Sequence, residues 1–487
     1  MAASNHLNLL KQGVAVWNDW RRRNLGVLID LTDADLNGAD LKEALLEDAW
    51  LTGANLSRAN LSGAILNRAF LSRANVDSAD LSGATLTGAH MEEAVLCNSI
   101  LRKAVAFGAK LREADLSGAD LSEAHFDGAD FRKVRLVESK MISTHLSKTT
   151  FTEANLTKAD LRGASVDDAD LRGADLTEAV AVTADFSGSL LRKATLKGTT
   201  FHAAEFRRTD FEECDLTKAD LSEANLEGAN LSFCRAPGCV FSGATLNYAR
   251  INSADLLDAL LIECDLRHAV LSNVNLNGAD FTGCRVHGIA VWNAVLTGAI
   301  QKDLLITEDG EEPIKLDNLE LAQFLHLSRS NERLGPGIDA LTSKLALILG
   351  RFTRLAVLES IDKRLRDLGY VPFLFTFEKP RSRDLTETVR MLANMSGFII
   401  ADLTDGKSIP QELQAIVPHL AIPVIPIIEH GQDPHGMWED FYKYPWVLTE
   451  YKYPDTGVLL NAIESLIQEG KAKAEEIEAN RRRAPRP

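Results

Sequence analysis

A period of five residues constrains this chain more than any other feature of its sequence. Counting in steps of five from Leu31 to Leu296 visits 54 positions, and all but Ala106, Ala181 and Ala236 carry Leu, Phe, Val, Ile or Met. No insertion or deletion breaks the count. Two residues before each centre Ala dominates, replaced now and then by Ser, Thr, Val or Cys. The residue between is often Asp or Asn, and Gly often sits two after the centre. A helix repeats its buried face every ~3.6 residues and a strand every ~2, so neither accommodates this pattern.

What such a repeat must bury sets its shape. One large and one small residue per pentad point inward, and the other three are polar types suited to a turn and a wet surface. A short extended piece plus a turn makes one side of a polygon. Stacked coils can then bond to the coils above and below, which supplies sheet partners internally. Four sides would take about 20 residues, so the run would give ~13 coils and, at ~4.8 Å per coil, a rod about 65 Å long.

Units such as "LTGANLSRANLSGA" at Leu51–Ala64 resemble the pentapeptide-repeat family, whose motif is A(D/N)LXX. The resemblance covers more than half the chain and implies a β-solenoid, a right-handed quadrilateral β-helix. Some members of that family mimic duplex DNA. Between Leu31 and Ile300, however, 38 Asp and Glu stand against 26 Lys and Arg, a net −12. A duplex of that length would carry about 38 negative charges, and the basic stretches "FRKVR" (Phe131–Arg135) and "LLRKATLK" (Leu190–Lys197) interrupt the acidic surface. DNA mimicry is therefore the least favoured reading. A rigid spacer or protein-interaction surface, including self-association, is favoured.

Composition bounds the rest. With 45% hydrophobic and 25% charged residues among 487, the chain reads as ordinarily folded, with room for two or three domains. A net charge of −16 argues against nucleic acid as a partner. No apolar run reaches the ~20 residues of a membrane span, and "MAASNHLNLLKQ" lacks the features of a secretory signal. Six cysteines without a CxxC pair point to a reducing compartment, so a cytoplasmic location is expected. Cys214, Cys234, Cys239, Cys264 and Cys284 all fall in the small inward slot, as cysteine does when it acts as core filler. No His and Cys set offers four convergent ligands, so no metal is expected.

Residues 1–30 read as an N-terminal capping helix, with Leu7, Leu10, Val14 and Trp17 on one helical face. The repeat fills 31–300. Residues 301–343 read as a helical linker, with a helix over Leu319–Arg329 and a Gly/Pro-containing end. In 344–470, short apolar strands alternate with helices, the pattern of a parallel α/β sheet. Its strands read as "KLALIL", "YVPFLFTF", "GFIIADL" and "IPVIPII". Residues 471–487 read as a charged helix end and a basic tail.

Ligands in such sheets bind beyond the carboxyl ends of the strands. No loop there carries GxGxxG or GxxxxGK[ST], which argues against a standard dinucleotide fold or a P-loop. In "TDGKSIPQEL", Ser408 and Gln411 fit a capping box, Pro410 suits the first helical turn, and Glu412 lies within that turn. An acid there either simply complements the helix dipole or is kept ionised by it for work as a nucleophile or charge stabiliser.

The stretch "SGFIIADLTDGKSIPQELQAIVPHLAIPVIPII" resembles the central part of a Toll/interleukin-1 receptor (TIR) domain, and is similar to nucleoside deoxyribosyltransferases. The resemblance implies a flavodoxin-like α/β domain. It also implies cleavage of an N-glycosidic bond by a glutamate, by position Glu412, with NAD as substrate and no permanently bound cofactor. Arg351 and Phe352 would pair with phosphate and stack on base or ribose. Asp402 and Asp405 would bind ribose hydroxyls or shape the loop, and Ser408 stands where TIR enzymes often carry tryptophan. Arg381 and Arg383 are within reach of a pyrophosphate on this reading, and Asp384 reads as a helix cap with Glu387. A domain of this kind serves either as an effector in bacterial signalling or defence, or only in self-association.

Overall fold

The computed structural model of the chain describes residues 4–308, 310, 314–330, 344–377, 392–393, 396–404, 417, 422–432 and 436–483. It divides into two compact units, residues 1–327 and 328–487.

The first unit is a β-solenoid with four sides to each coil. Parallel bridges join every fifth residue to the one 20 further on, from Asp30↔Trp50 to Arg285↔Leu305. In a typical pentad the backbone consumes four of the five amide protons. In 51–55, Leu51 donates to Phe70 (2.7 Å), Gly53 to Ser72 (3.1 Å), Ala54 to Leu51 (3.0 Å) and Asn55 to Ala34 (2.9 Å). The fifth donor lies two residues after the position where the motif has Asp or Asn, and in many pentads that side chain accepts it. Ser82 N–H reaches Asp80 Oδ1 at 2.9 Å and Thr177 N–H reaches Asp175 Oδ1 at 2.9 Å. The repeat is therefore a hydrogen-bond account as much as a packing pattern: Leu and Ala fill the interior, and Asp or Asn closes the one amide the coils leave open.

The bond from Ala54 to Leu51 closes a corner whose third residue has positive φ, +67° at Gly53. Glycine takes this conformation without a Cβ clash, which explains its place two after the centre. Side chains occupy the same corner elsewhere, as at Thr183 (φ 56°). Inside, the centres stack on one another; Phe131 and Phe151 lie with ring centroids 4.9 Å apart and planes 9° apart. In the small slot, Cys264 and Cys284 are buried and donate their thiols to the carbonyls of Phe241 (2.9 Å) and Leu261 (2.7 Å). Thr199 and Thr209 do the same from that slot with their hydroxyls.

Both ends of the solenoid carry helices. Where one continuous N-terminal helix is expected, the structure has two, α1 (Ser4–Leu10) and α2 (Val14–Arg23), broken at Gly13 with φ 107°. The break lets Leu10 and Trp17 both bury. Side chains of α2 replace the missing preceding coil. Trp17 Nε1 donates to Leu45 O, Asn18 Oδ1 accepts from Leu45 N, and Arg21 Nη2 donates to Glu47 O. At the other end, β1 (Val270–Ser272) and β2 (Ala290–Trp292) pair in parallel, and β3 (Leu304–Leu305) pairs antiparallel with β4 (Lys315–Leu316). Helix α3 (Leu319–Ser330) follows and buries Leu319, Ala322 and Leu325. Gln323 Oε1 accepts from Val291 N at 2.8 Å, and Asp317 Oδ1 accepts from Asp303 N at 2.9 Å.

Among its described residues the second unit holds five parallel strands in the order β6-β5-β7-β8-β9. They are β5 (Leu345–Arg351), β6 (Val371–Phe377), β7 (Phe398–Asp402), β8 (Val424–Glu429) and β9 (Tyr451–Tyr453). The fifth strand was not evident from sequence, since three residues are too short to show a period. Helices α4 (Leu355–Asp367) and α5 (Thr456–Arg483) pack on the sheet through Leu358, Ile361, Leu365, Leu459 and Ile463. Gly350 allows α4 this approach, because a Cβ there would lie 2.6 Å from the Leu358 methyls. No helix among the described residues is long and apolar enough to cross a membrane.

Candidate functional site

Strand β5 has β6 on one side and β7 on the other, so the chain reverses its direction of winding between β5 and β7. Crevices at such reversals, at the carboxyl ends of strands, are where open parallel sheets bind ligands. A buried polar cluster occupies this end of the sheet. Arg354, in the short 3-10 turn 352–354 after β5, has only 19% of its side chain exposed. Its Nε donates to Asp402 Oδ2 (3.3 Å), Nη1 to Glu429 Oε2 (2.7 Å) and Nη2 to the Tyr453 hydroxyl (2.7 Å). Asp402 ends β7 fully buried, and its Oδ1 accepts the Thr404 N–H at 3.0 Å. Thr404 Oγ1 in turn accepts the Glu429 N–H at 3.0 Å.

The electrostatics follow from burial and pairing. Burial works against the charge on Arg354, but Asp402, Tyr453 and Glu429 hold its guanidinium above the usual arginine value. Burial, then Asp402, pushes the Tyr453 phenol up, so it stays neutral. One cation thus faces two carboxylates at the mouth of the sheet. Such a group can orient hydroxyl-bearing ligands and fix loops, and its buried carboxylate depends on the arginine beside it.

The solenoid offers a different kind of surface. A notch of about 380 Å³ opens beside Ser122 and Ser143, with Arg102, Lys140 and Arg162 facing Asp120, Glu123 and Asp160. Equal numbers of each sign leave no net charge there. No cluster of three metal-ligating side chains occurs among the described residues.

The pentapeptide-repeat family profile matches in overlapping segments that run without a gap from residue 29 to residue 288, more than half the chain. The chain belongs to the pentapeptide-repeat family. Among solved structures this pentapeptide-repeat protein is similar to HetL of Nostoc sp. strain PCC 7120, involved in heterocyst differentiation regulation. The identity is 25%, over 60% of this chain and 97% of that one, with a TM-score of 0.15. It is also similar to full-length QnrB1, a plasmid-mediated fluoroquinolone resistance protein, at 19% identity over 49% of this chain and 97% of that one, TM-score 0.15. A third is AT2G44920 of the Arabidopsis thaliana thylakoid lumen, at 26% identity over 29% and 72%, TM-score 0.12. A comparison with curated proteins finds no match.

In this pentapeptide-repeat protein the sequence-predicted site residues divide into two groups. Arg351 is the last residue of β5, half-buried, and Asp402 the last of β7. Phe352 opens the 3-10 turn, and its side chain lies outside what is described. Asp405, Ser408, Gln411 and Glu412 lie outside the described residues, as do Arg381, Arg383, Asp384 and Glu387. Sequence reasoning missed Arg354, Thr404, Glu429 and Tyr453. Glu429 carried a signal, a charge ending the buried run "IPVIPII", and Arg354 lies within "GRFTR".

Proposed function

We propose that this pentapeptide-repeat scaffold carries a flavodoxin-like, TIR-like effector domain that cleaves the N-glycosidic bond of NAD or a related nucleotide, in bacterial signalling or defence. The observation that supports this reading is the polar cluster of Arg354, Asp402, Glu429 and Tyr453 at the carboxyl ends of a five-stranded parallel sheet. Counted in chain order, that sheet runs 2-1-3-4-5, the flavodoxin-like order. In the proposed reaction the bond between ribose C1′ and the nicotinamide nitrogen breaks. Water supplies the new C1′–O bond, giving ADP-ribose, nicotinamide and a proton. In this reading the Glu412 carboxylate faces the anomeric carbon and stabilises positive charge developing there. Arg351, Phe352, Asp402, Asp405 and Ser408 hold the nucleotide or shape the loop around it. The solenoid serves as a rigid spacer and a surface for protein partners or self-association.

The test is nicotinamide release by the purified full chain, across protein concentrations that permit assembly, beside Glu412→Ala. Turnover that the substitution removes supports the reading. No turnover at any concentration leaves a non-catalytic interaction scaffold instead.

A further inference from the structure

Four of the five strands end on one side chain. Arg354 follows β5, and its guanidinium meets Asp402 of β7, Glu429 of β8 and Tyr453 of β9. Guanidinium donors lie in a fixed planar fork, so three partners in three directions fix those strand ends relative to the fourth. Thr404 cross-links two of them, with its N–H on Asp402 and its hydroxyl oxygen receiving the Glu429 amide. We infer that Arg354 is a positioning residue, the group that holds Asp402, Thr404 and Glu429 in one geometry at the mouth of the sheet. Its catalytic consequence rests on the NAD-cleaving reading above; its positioning role does not.

The choice of chemistry bears this out. Asp402 is fully buried, and a buried ion pair is a costly way to stabilise a fold, because well-packed apolar residues do as well or better. What the pair adds is direction. Lysine would bring the same charge as a compact ammonium on a flexible stem, with no fork to set three partners at once. Glu429 gains from this: one carboxylate oxygen and its own amide are tied, while 41% of its side chain stays exposed towards solvent.

The test compares Arg354→Gln, Arg354→Lys and Tyr453→Phe in the full chain by two readouts. In hydrogen exchange, Arg354→Gln speeds the Thr404 and Glu429 amides on the order of tenfold or more, while Leu347 and Ile400 in the strand interiors stay as slow as in the parent. Arg354→Lys gives no rescue despite its retained charge. In nicotinamide release, Arg354→Gln lowers kcat by about 10²-fold, with KM for NAD held within about threefold. Should Arg354→Gln fail to fold, Tyr453→Phe removes one anchor without touching a charge and shows the same pattern at smaller size. Unchanged exchange at Thr404 and Glu429 in a folded Arg354→Gln overturns the inference, as does full rescue by lysine. If the parent chain releases no nicotinamide, the functional reading fails and the exchange result still decides the positioning role.

Discussion

Trp17 donates its indole N–H to the Leu45 carbonyl at 2.9 Å, in the place where a preceding coil would have offered a backbone amide. The first coil of a solenoid has no neighbour on one side, so its polar edge must find other partners or remain open. Helix α2 supplies them from Trp17, Asn18 and Arg21, and Gln323 and Asp317 do so at the opposite end.

Removing the indole donor while keeping an aromatic ring therefore tests the cap. Trp17→Phe is expected to destabilise the solenoid by about 1–3 kcal/mol through the orphaned Leu45 carbonyl. Trp17→Ala, which also opens a cavity, is expected to cost about 3–5 kcal/mol. Denaturant unfolding followed by circular dichroism measures both, and a Trp17→Phe chain as stable as the parent would refute the capping role.

Thr183 sits at a corner with φ 56°, a conformation that a β-branched residue rarely adopts. Thr183→Gly is expected to stabilise the chain by about 1 kcal/mol, since the left-handed strain is relieved and glycine's greater unfolded-state freedom offsets only part of it. A lowered unfolding midpoint would show that the corner is not strained.

Three carboxyls of the solenoid each have an arginine two residues further on as neighbour. Hydrogen bonds from Arg132, Arg162 and Arg172 hold Asp130, Asp160 and Asp170 below the usual aspartate value, against an opposing effect of partial burial. A folded value below the unfolded one gives stability that is present above about pH 4 and is lost as pH falls through the folded value. The combined Asp130→Asn, Asp160→Asn and Asp170→Asn variant is therefore expected to lose less stability than the parent between about pH 4 and pH 2. Urea midpoints measured across that interval decide it. Parallel pH slopes for the two chains would mean that these pairs are not formed in solution.

The solenoid was legible because each of its rules is local. The Leu centre, the Ala slot, the corner glycine and the Asp or Asn that closes a free amide repeat within five residues, so one pentad such as 51–55 contains the whole pattern. The N-terminal cap was legible in kind but not in form. Leu10 and Trp17 announce a buried face, yet nothing at Gly13 short of its φ of 107° shows that the helix breaks there. The polar cluster was the least legible. Asp402 could be picked out because it ends an apolar strand, but its partners lie 48 residues away at Arg354 and, beyond it, at Glu429 and Tyr453.

The period of five by itself determined a stacked coil, since its spacing of large, small and polar residues can be satisfied only by a side-and-turn unit that bonds to copies of itself. Which carbonyls at the coil ends meet a side chain, and which strand ends share a guanidinium, was decided only by the tertiary structure. The physical reason is range. A repeat encodes contacts between equivalent residues at a constant offset, whereas a cap or a buried ion pair joins residues whose separation no local pattern records.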